Sequence, residues 1–131
     1  MAVYSSSNFK RDGANHLKNN CNLIALVVDP VQSDNYATAF GKIIASTAYT
    51  STDITLADSG NNLTITTNPK SDIDPSGAAA DTADIAVCYF DTVGQEAILV
   101  QDVVDRDILN GDGDTVNIPA GLITINNLVS V

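Results

Sequence analysis

The sequence predicts an all-β protein: an antiparallel β-sandwich or compact β-barrel of about eight short strands, led by a short N-terminal helix or polar arm. Three observations point there. Apolar and β-branched runs of four to nine residues recur along the chain, each too short for a typical helix. Gly, Pro, Asn and Asp separate these runs at fairly regular intervals, the punctuation of sandwiches and barrels. The 131 residues are 44% hydrophobic and 17% charged, enough apolar material for one folded domain with its own core. Residues 1–21 are expected to form the polar arm or helix, and residues 22–131 a single β domain.

The elements follow in order. "NFKRDGANHLKNN" (8–20) places Phe9 and Leu17 on one helical face, although Gly13 and the Asn residues weaken the helix. "NLIALVV" (22–28) is a continuous apolar run ending at Asp-Pro, the mark of a central buried strand. "KIIASTAYTST" (42–52) is β-branched and aromatic. "DITLADS" (53–59), the turn "SGNN" and "LTITTN" (63–68) alternate apolar residues with Thr and read as a hairpin. Residues 69–82, "PKSDIDPSGAAADT", carry two prolines and a glycine and predict the longest loop. "ADIAVCYF" (83–90), "EAILVQDVV" (96–104), "DTVNI" (114–118) and "LITI" (122–125) complete the strands. "NLIALVVD" (22–29) echoes "ADIAVCYFD" (83–91), which suggests equivalent central strands, even neighbours.

Charge narrows the function. Fifteen Asp and one Glu against six Lys and Arg leave a formal net charge of −10. Phosphate binding needs clustered cations, so nucleic acid is not the expected partner. Lys10, Arg11 and Lys18 hold half the basic residues within the first eighteen positions. From Ser71 to Asp114 there are eleven acidic residues and one basic, Arg106. That polarity suits docking onto a positive surface, or simply keeps the chain soluble. No run approaches the roughly 18 apolar residues of a membrane span, and the opening residues lack the apolar stretch of a cleaved leader. Assembly in a cytoplasm is the expectation, and there Cys21 and Cys88 would stay as thiols, best read as small buried hydrophobes.

The segment "DILNGDGDTVNIPAGLITINNL" (107–128) offers a metal reading through Asp107, Asn110, Asp112 and Asp114. Starting the calcium-loop template at Asn110 fills its first three alternate positions. The template then asks for Gly at its sixth place and Glu at its twelfth, where this chain has Thr115 and Gly121. Starting at Asp105 puts Leu109 fifth. A hairpin turn built on Asn110-Gly111 and Asp112-Gly113 accounts for the same residues with fewer demands. Catalysis has as little support. His16 is the single histidine, zinc commonly wants several His or Cys ligands, and no G-x-S-x-G elbow or glycine-rich phosphate loop is present. We therefore expect no catalytic residues, no metal site and no cofactor.

At "TADIAVCYFD…EAILVQDV…GDTVNIPAGLITINN" (82–127), with "STDITLADSGNNLTITT" (51–67) upstream, the chain resembles a loose group of small structural proteins of tailed bacteriophages. The resemblance covers about the last two-thirds of the chain. It departs from the group at "AGLITI", where many relatives carry an aromatic residue near the proline. The group has no catalytic motif, so no functional residue carries over. What it implies is a virion component: a small all-β decoration or cement subunit on the outer capsid lattice, assembled in the host cytoplasm. Its expected partners are the major capsid protein and neighbouring copies of itself, as a trimer or dimer, with neither nucleic acid nor membrane involved. The alternatives are a tail, fibre or head–tail joining protein, or a small sugar- or calcium-binding β module. Candidate contact residues are Phe9, Lys10, Arg11 and Lys18 in the N-terminal segment and the aromatic pair Tyr36 and Phe40, with the loop 69–82 as a further contact region.

Overall fold

Two strands buried on both faces organise the molecule. In the computed structural model, which describes residues 7–59, 62–76, 84–103 and 115–125, β1 (Leu23–Val28) lies against β6 (Ile85–Asp91) in one antiparallel ladder. These are the two echoing segments of the sequence, and they do form the central pair. β2 (Ile43–Ala48) flanks β1 and β7 (Glu96–Val103) flanks β6, giving a four-stranded sheet in the order β2-β1-β6-β7. Continuous apolar sequence suits strands covered on both sides, because alternation is required only where one face meets water.

The inner face of this sheet meets a second antiparallel sheet, β3 (Ile54–Ser59), β4 (Asn62–Thr67) and β9 (Gly121–Ile125), in the order β3-β4-β9. A two-stranded ribbon, β5 (Lys70–Ile73) with β8 (Val116–Ile118), closes one side. Ile24, Leu26, Val87 and Tyr89 from the first sheet share one core with Ile54, Leu63 and Ile65 from the second. The strands do not close into a barrel; the sandwich alternative is the one observed.

The N-terminal segment belongs to this core. Helix α1 (Ser7–Asn20) buries Ala14 and Leu17 to 2% and 3% exposure in the same cluster. The helix is thus a packed layer of the body from residue 12 onwards, where its side chains are described.

The predicted loop 69–82 contains a strand. Pro69 and Pro75 flank β5 rather than interrupt it, which proline tolerates at strand ends. Lys70 pairs with Ile118 and Ile73 with Val116, so Ser71 and Asp72 oppose Asn117 alone. This is a bulge: Asp72 takes φ +58° and its N–H donates to Asn117 Oδ1 at 3.1 Å. Among the described residues there are therefore nine strands, where about eight were expected.

A second short helix, α2 (Tyr36–Gly41), lies between β1 and β2, in a stretch for which the sequence predicted no element. Asn35 caps it, its Oδ1 accepting from Thr38 N at 2.9 Å. Six residues are too few to display a helical period, so the cap was the only readable sign. The proposed hairpin turn at Asn110-Gly111 and Asp112-Gly113 lies outside the described residues.

One polar contact joins the layers. Thr67, 1% exposed, accepts a hydrogen bond from Gly121 N at 2.8 Å and shares a proton with the Tyr89 hydroxyl at 3.1 Å. Any Cβ at Gly121 would lie 2.6 Å from Thr67 Oγ1 and 2.9 Å from Gln101 Oε1. Close approach is why glycine stands there.

Candidate functional site

The outer face of the first sheet carries a concavity. Ala25, Val27, Ala86, Cys88 and Phe90 project to this side, opposite the main core, and Ala39 of α2 covers part of them. The remainder opens into a groove of about 600 Å³. Val27 and Cys88 form its floor, and Pro30, Val31 and Ala39 form one wall. Strand β7 forms the opposite wall through four consecutive residues, Ala97 to Val100.

The loop wall is held by fixed contacts. Asp29 ends β1 at φ +46°, and Lys42 Nζ donates to its carbonyl at 2.9 Å. The same ammonium donates to Asp34 Oδ2 at 2.6 Å, which also accepts from Val31 N at 3.0 Å. The Lys42 contact, with the Val31 N–H, holds the Asp34 carboxyl below the usual carboxylate range. The wall is therefore preformed and close to neutral. Val31 is 55% exposed and Val100 44%, so apolar surface faces solvent from both sides of the groove.

The groove offers shape rather than reactive groups. Burial pushes the Cys88 thiol up to about 12 and the Cys21 thiol to about 11, so neither is a nucleophile near neutral pH. Both are free and buried. Among the described residues, no three His, Cys, Asp or Glu side chains cluster as metal ligands, and no helix is long and apolar enough to cross a membrane.

The residues singled out from sequence fall in three places. Phe9, Lys10 and Arg11 lie in the opening turns of α1, ahead of its described side chains. Lys18 is turned inward: its Nζ donates to the carbonyls of Ser51 and Ile54, each at 2.5 Å, and fastens α1 to the chain entering β3. Tyr36 and Phe40 lie together on α2 and both pack edge-on against Phe90, at 5.9 and 5.7 Å between centroids. Phe40 remains 42% exposed, which leaves it available for contact as well as anchoring.

Lys70 and His16 are also engaged. Lys70 lies 3.1 Å from Asp53 Oδ1 and 5.4 Å from the Tyr49 ring centre. His16 Nε2 meets Glu96 Oε2 at 2.9 Å, bridging α1 to the start of β7. The groove itself was not readable in the sequence, because Val31 and Val100 are brought together only by strand order. An exposed valine between Pro30 and Asp34 was the one local signal.

Comparison with protein-family models, with curated proteins and with solved structures finds no match to the chain.

Proposed function

We propose that this chain is a non-enzymatic structural protein of a tailed-phage virion, binding the outer surface of the capsid as a decoration or cement subunit. The observation that carries the docking part of this reading is the distribution of charge. Lys18, Lys42 and Lys70 are each bound within the fold, while Asp12, Asp29, Asp74 and Asp84 stand exposed. A body that spends its described cations internally presents carboxylates outward and docks on neutral or positive protein surfaces. Two packed sheets give it rigidity, so little ordering entropy is lost on binding. The virion assignment comes from the strand motifs at 51–67 and 82–127.

Mass spectrometry of purified particles, scaled to the major shell protein, tests the reading. Hundreds of copies per particle are expected of a decoration subunit. A handful of copies assigns the chain to tail or joining structures, and absence from particles overturns the proposal.

A further inference from the structure

Among the described residues, strand β7 has one edge with no strand beside it: it pairs only with β6, so half of its N–H and C=O groups point away from the sheet. The groove borders the first half of that edge, from Ala97 to Val100. A cavity confined to one face of a strand meets alternate residues, yet this one touches Ala97, Ile98, Leu99 and Val100 in succession. The ladder explains part of this: Tyr89 pairs with Leu99 and Phe90 with Ala97, leaving Ile98 as the unopposed residue of a bulge. Leu99 pairs with the inward-facing Tyr89 and packs against the inner core, so it meets the groove along the strand's edge. The regular part of the edge is therefore Leu99–Val103.

We propose that this groove is a strand-acceptor site: an extended segment of a partner protein lies along β7 from Leu99 to Val103, sends apolar side chains against Val31 and Val100, and carries a Lys or Arg at the end nearest Asp84. The backbone chemistry selects the occupant, since only another extended chain satisfies a row of main-chain donors and acceptors while filling an apolar trough beside it. Charge selects its end. Val103 pairs with Ile85, next to Asp84, which is exposed and whose N–H donates to the likewise exposed Asp29 at Oδ1, 3.1 Å away. An added strand lies about two strand spacings, roughly 10 Å, from β6. That distance is comparable to the screening length at physiological salt, so the preference for a cation weakens as salt rises. The Asp34–Lys42 pair is already neutralised and adds no competing charge. The inference rests on the docking reading above only in taking the partner to be a protein.

The test selects a displayed library of random twelve-residue peptides on the immobilised full-length chain. Enriched peptides are expected to alternate apolar residues and to end in Lys or Arg. Val100→Arg and Val31→Glu, both at exposed positions, are expected to weaken their binding at least about tenfold with the thermal transition retained. Asp84→Asn is expected to weaken Lys-ended peptides about threefold at low salt and to have no effect at high salt. Bound peptide should slow amide hydrogen exchange within Leu99–Val103. Equal binding to the parent and both groove variants overturns the proposal, as does protection confined to another element or the enrichment of no peptide. Self-association of the chain that blocks the edge identifies a second copy as occupant and overturns the separate-partner assignment. Particle copy number decides the virion reading independently: a failed selection with hundreds of copies per particle removes the acceptor site alone.

Discussion

Replacing Thr67 with Val probes the polar contact between the two sheets. Valine has nearly the same shape, so packing is retained and only the hydroxyl is lost. That hydroxyl serves two groups, one part-buried and one buried: it accepts from Gly121 N at 2.8 Å and pairs with Tyr89 OH at 3.1 Å. Tyr89 is 1% exposed, so water does not replace the lost partner. Each orphaned group costs about 1–3 kcal/mol, and because Gly121 is only partly buried the pair should cost about 2–4 kcal/mol. For a chain of this length that lowers Tm by roughly 8–15 °C, and the urea midpoint by about 1–2 M. A second substitution sharpens the test. Tyr89→Phe should destabilise the parent, because it removes a satisfied hydroxyl. In the Thr67→Val background it should restore stability, because it removes an orphan. The resulting coupling should be about 1–2 kcal/mol. Urea denaturation of the four proteins measures it. A Thr67→Val cost below about 0.5 kcal/mol, or the same Tyr89→Phe effect in both backgrounds, refutes the reasoning.

Four further outcomes are expected. Lys18→Met retains the apolar stem but loses both carbonyl contacts; stability should fall by about 1 kcal/mol and amide exchange in α1 should accelerate, whereas unchanged α1 protection contradicts the tether. Asp34 is held below the usual carboxylate range by Lys42; at Asp53 burial pushes upward, but the Thr50 N–H, Lys70 and Asn68 outweigh it and the net direction is also down. Lowered folded values stabilise above the unfolded value of about 3.9. Tm should therefore hold between neutral pH and about 5 and drop as pH falls through the folded values below about 4, and a fall between pH 7 and about 6 would be inconsistent with this account. The thiols of Cys21 and Cys88 should resist a disulfide reagent in the folded chain and react as two per chain in denaturant; labelling at native-state rates like those of a free thiol would contradict their burial. Millimolar calcium should leave Tm unchanged within about 1 °C, because a site with a dissociation constant one hundredfold lower would add about 2.7 kcal/mol and raise Tm by several degrees.

The parts of the fold legible in sequence are those where one physical requirement dominates. "LIALVV" and "IAVCYF" had to be buried on both faces, and they became the central β1–β6 pair. The Thr-alternating hairpin needed only period two and a turn, and β3 pairs with β4 from Ile54–Thr67 to Ser59–Asn62. What failed was structure fixed by long-range partners. β5 looked like loop because two prolines and a glycine dominate 69–82, and its pairing depends on β8 more than forty residues later. α2 is set by one Asn35 cap and by the contact of Tyr36 and Phe40 with Phe90. Lys18 is the instructive case among the candidate contact residues. Its position in a basic cluster suggested outward attraction, whereas the fold turns it onto Ser51 and Ile54. Phe9, Lys10 and Arg11 remain candidates on sequence grounds, as do Asn110-Gly111 and Asp112-Gly113 for the turn.

The shortage of cations and the strongly acidic exterior have a common structural basis. Lys42 clamps the loop that walls the groove, Lys70 covers Tyr49 beside Asp53, and Lys18 fastens α1. Each acts as an internal tie at least partly shielded from solvent, where a charge-assisted hydrogen bond is stronger than at a free surface. Ties of this kind need few residues, and they leave the surplus carboxylates unneutralised outside. Uniform self-repulsion then opposes association of copies except through patches without charge. The outward residues of the second sheet, Thr55, Ala57, Thr64, Thr66, Leu122 and Thr124, form one such patch by register. Three strand spacings by five residues give it only about 250 Å², against about 800 Å² per partner in a standard interface. That face alone falls well short of a standard interface, so the proposed docking role needs additional surface, and the preformed groove beside β7 is the feature suited to supply it.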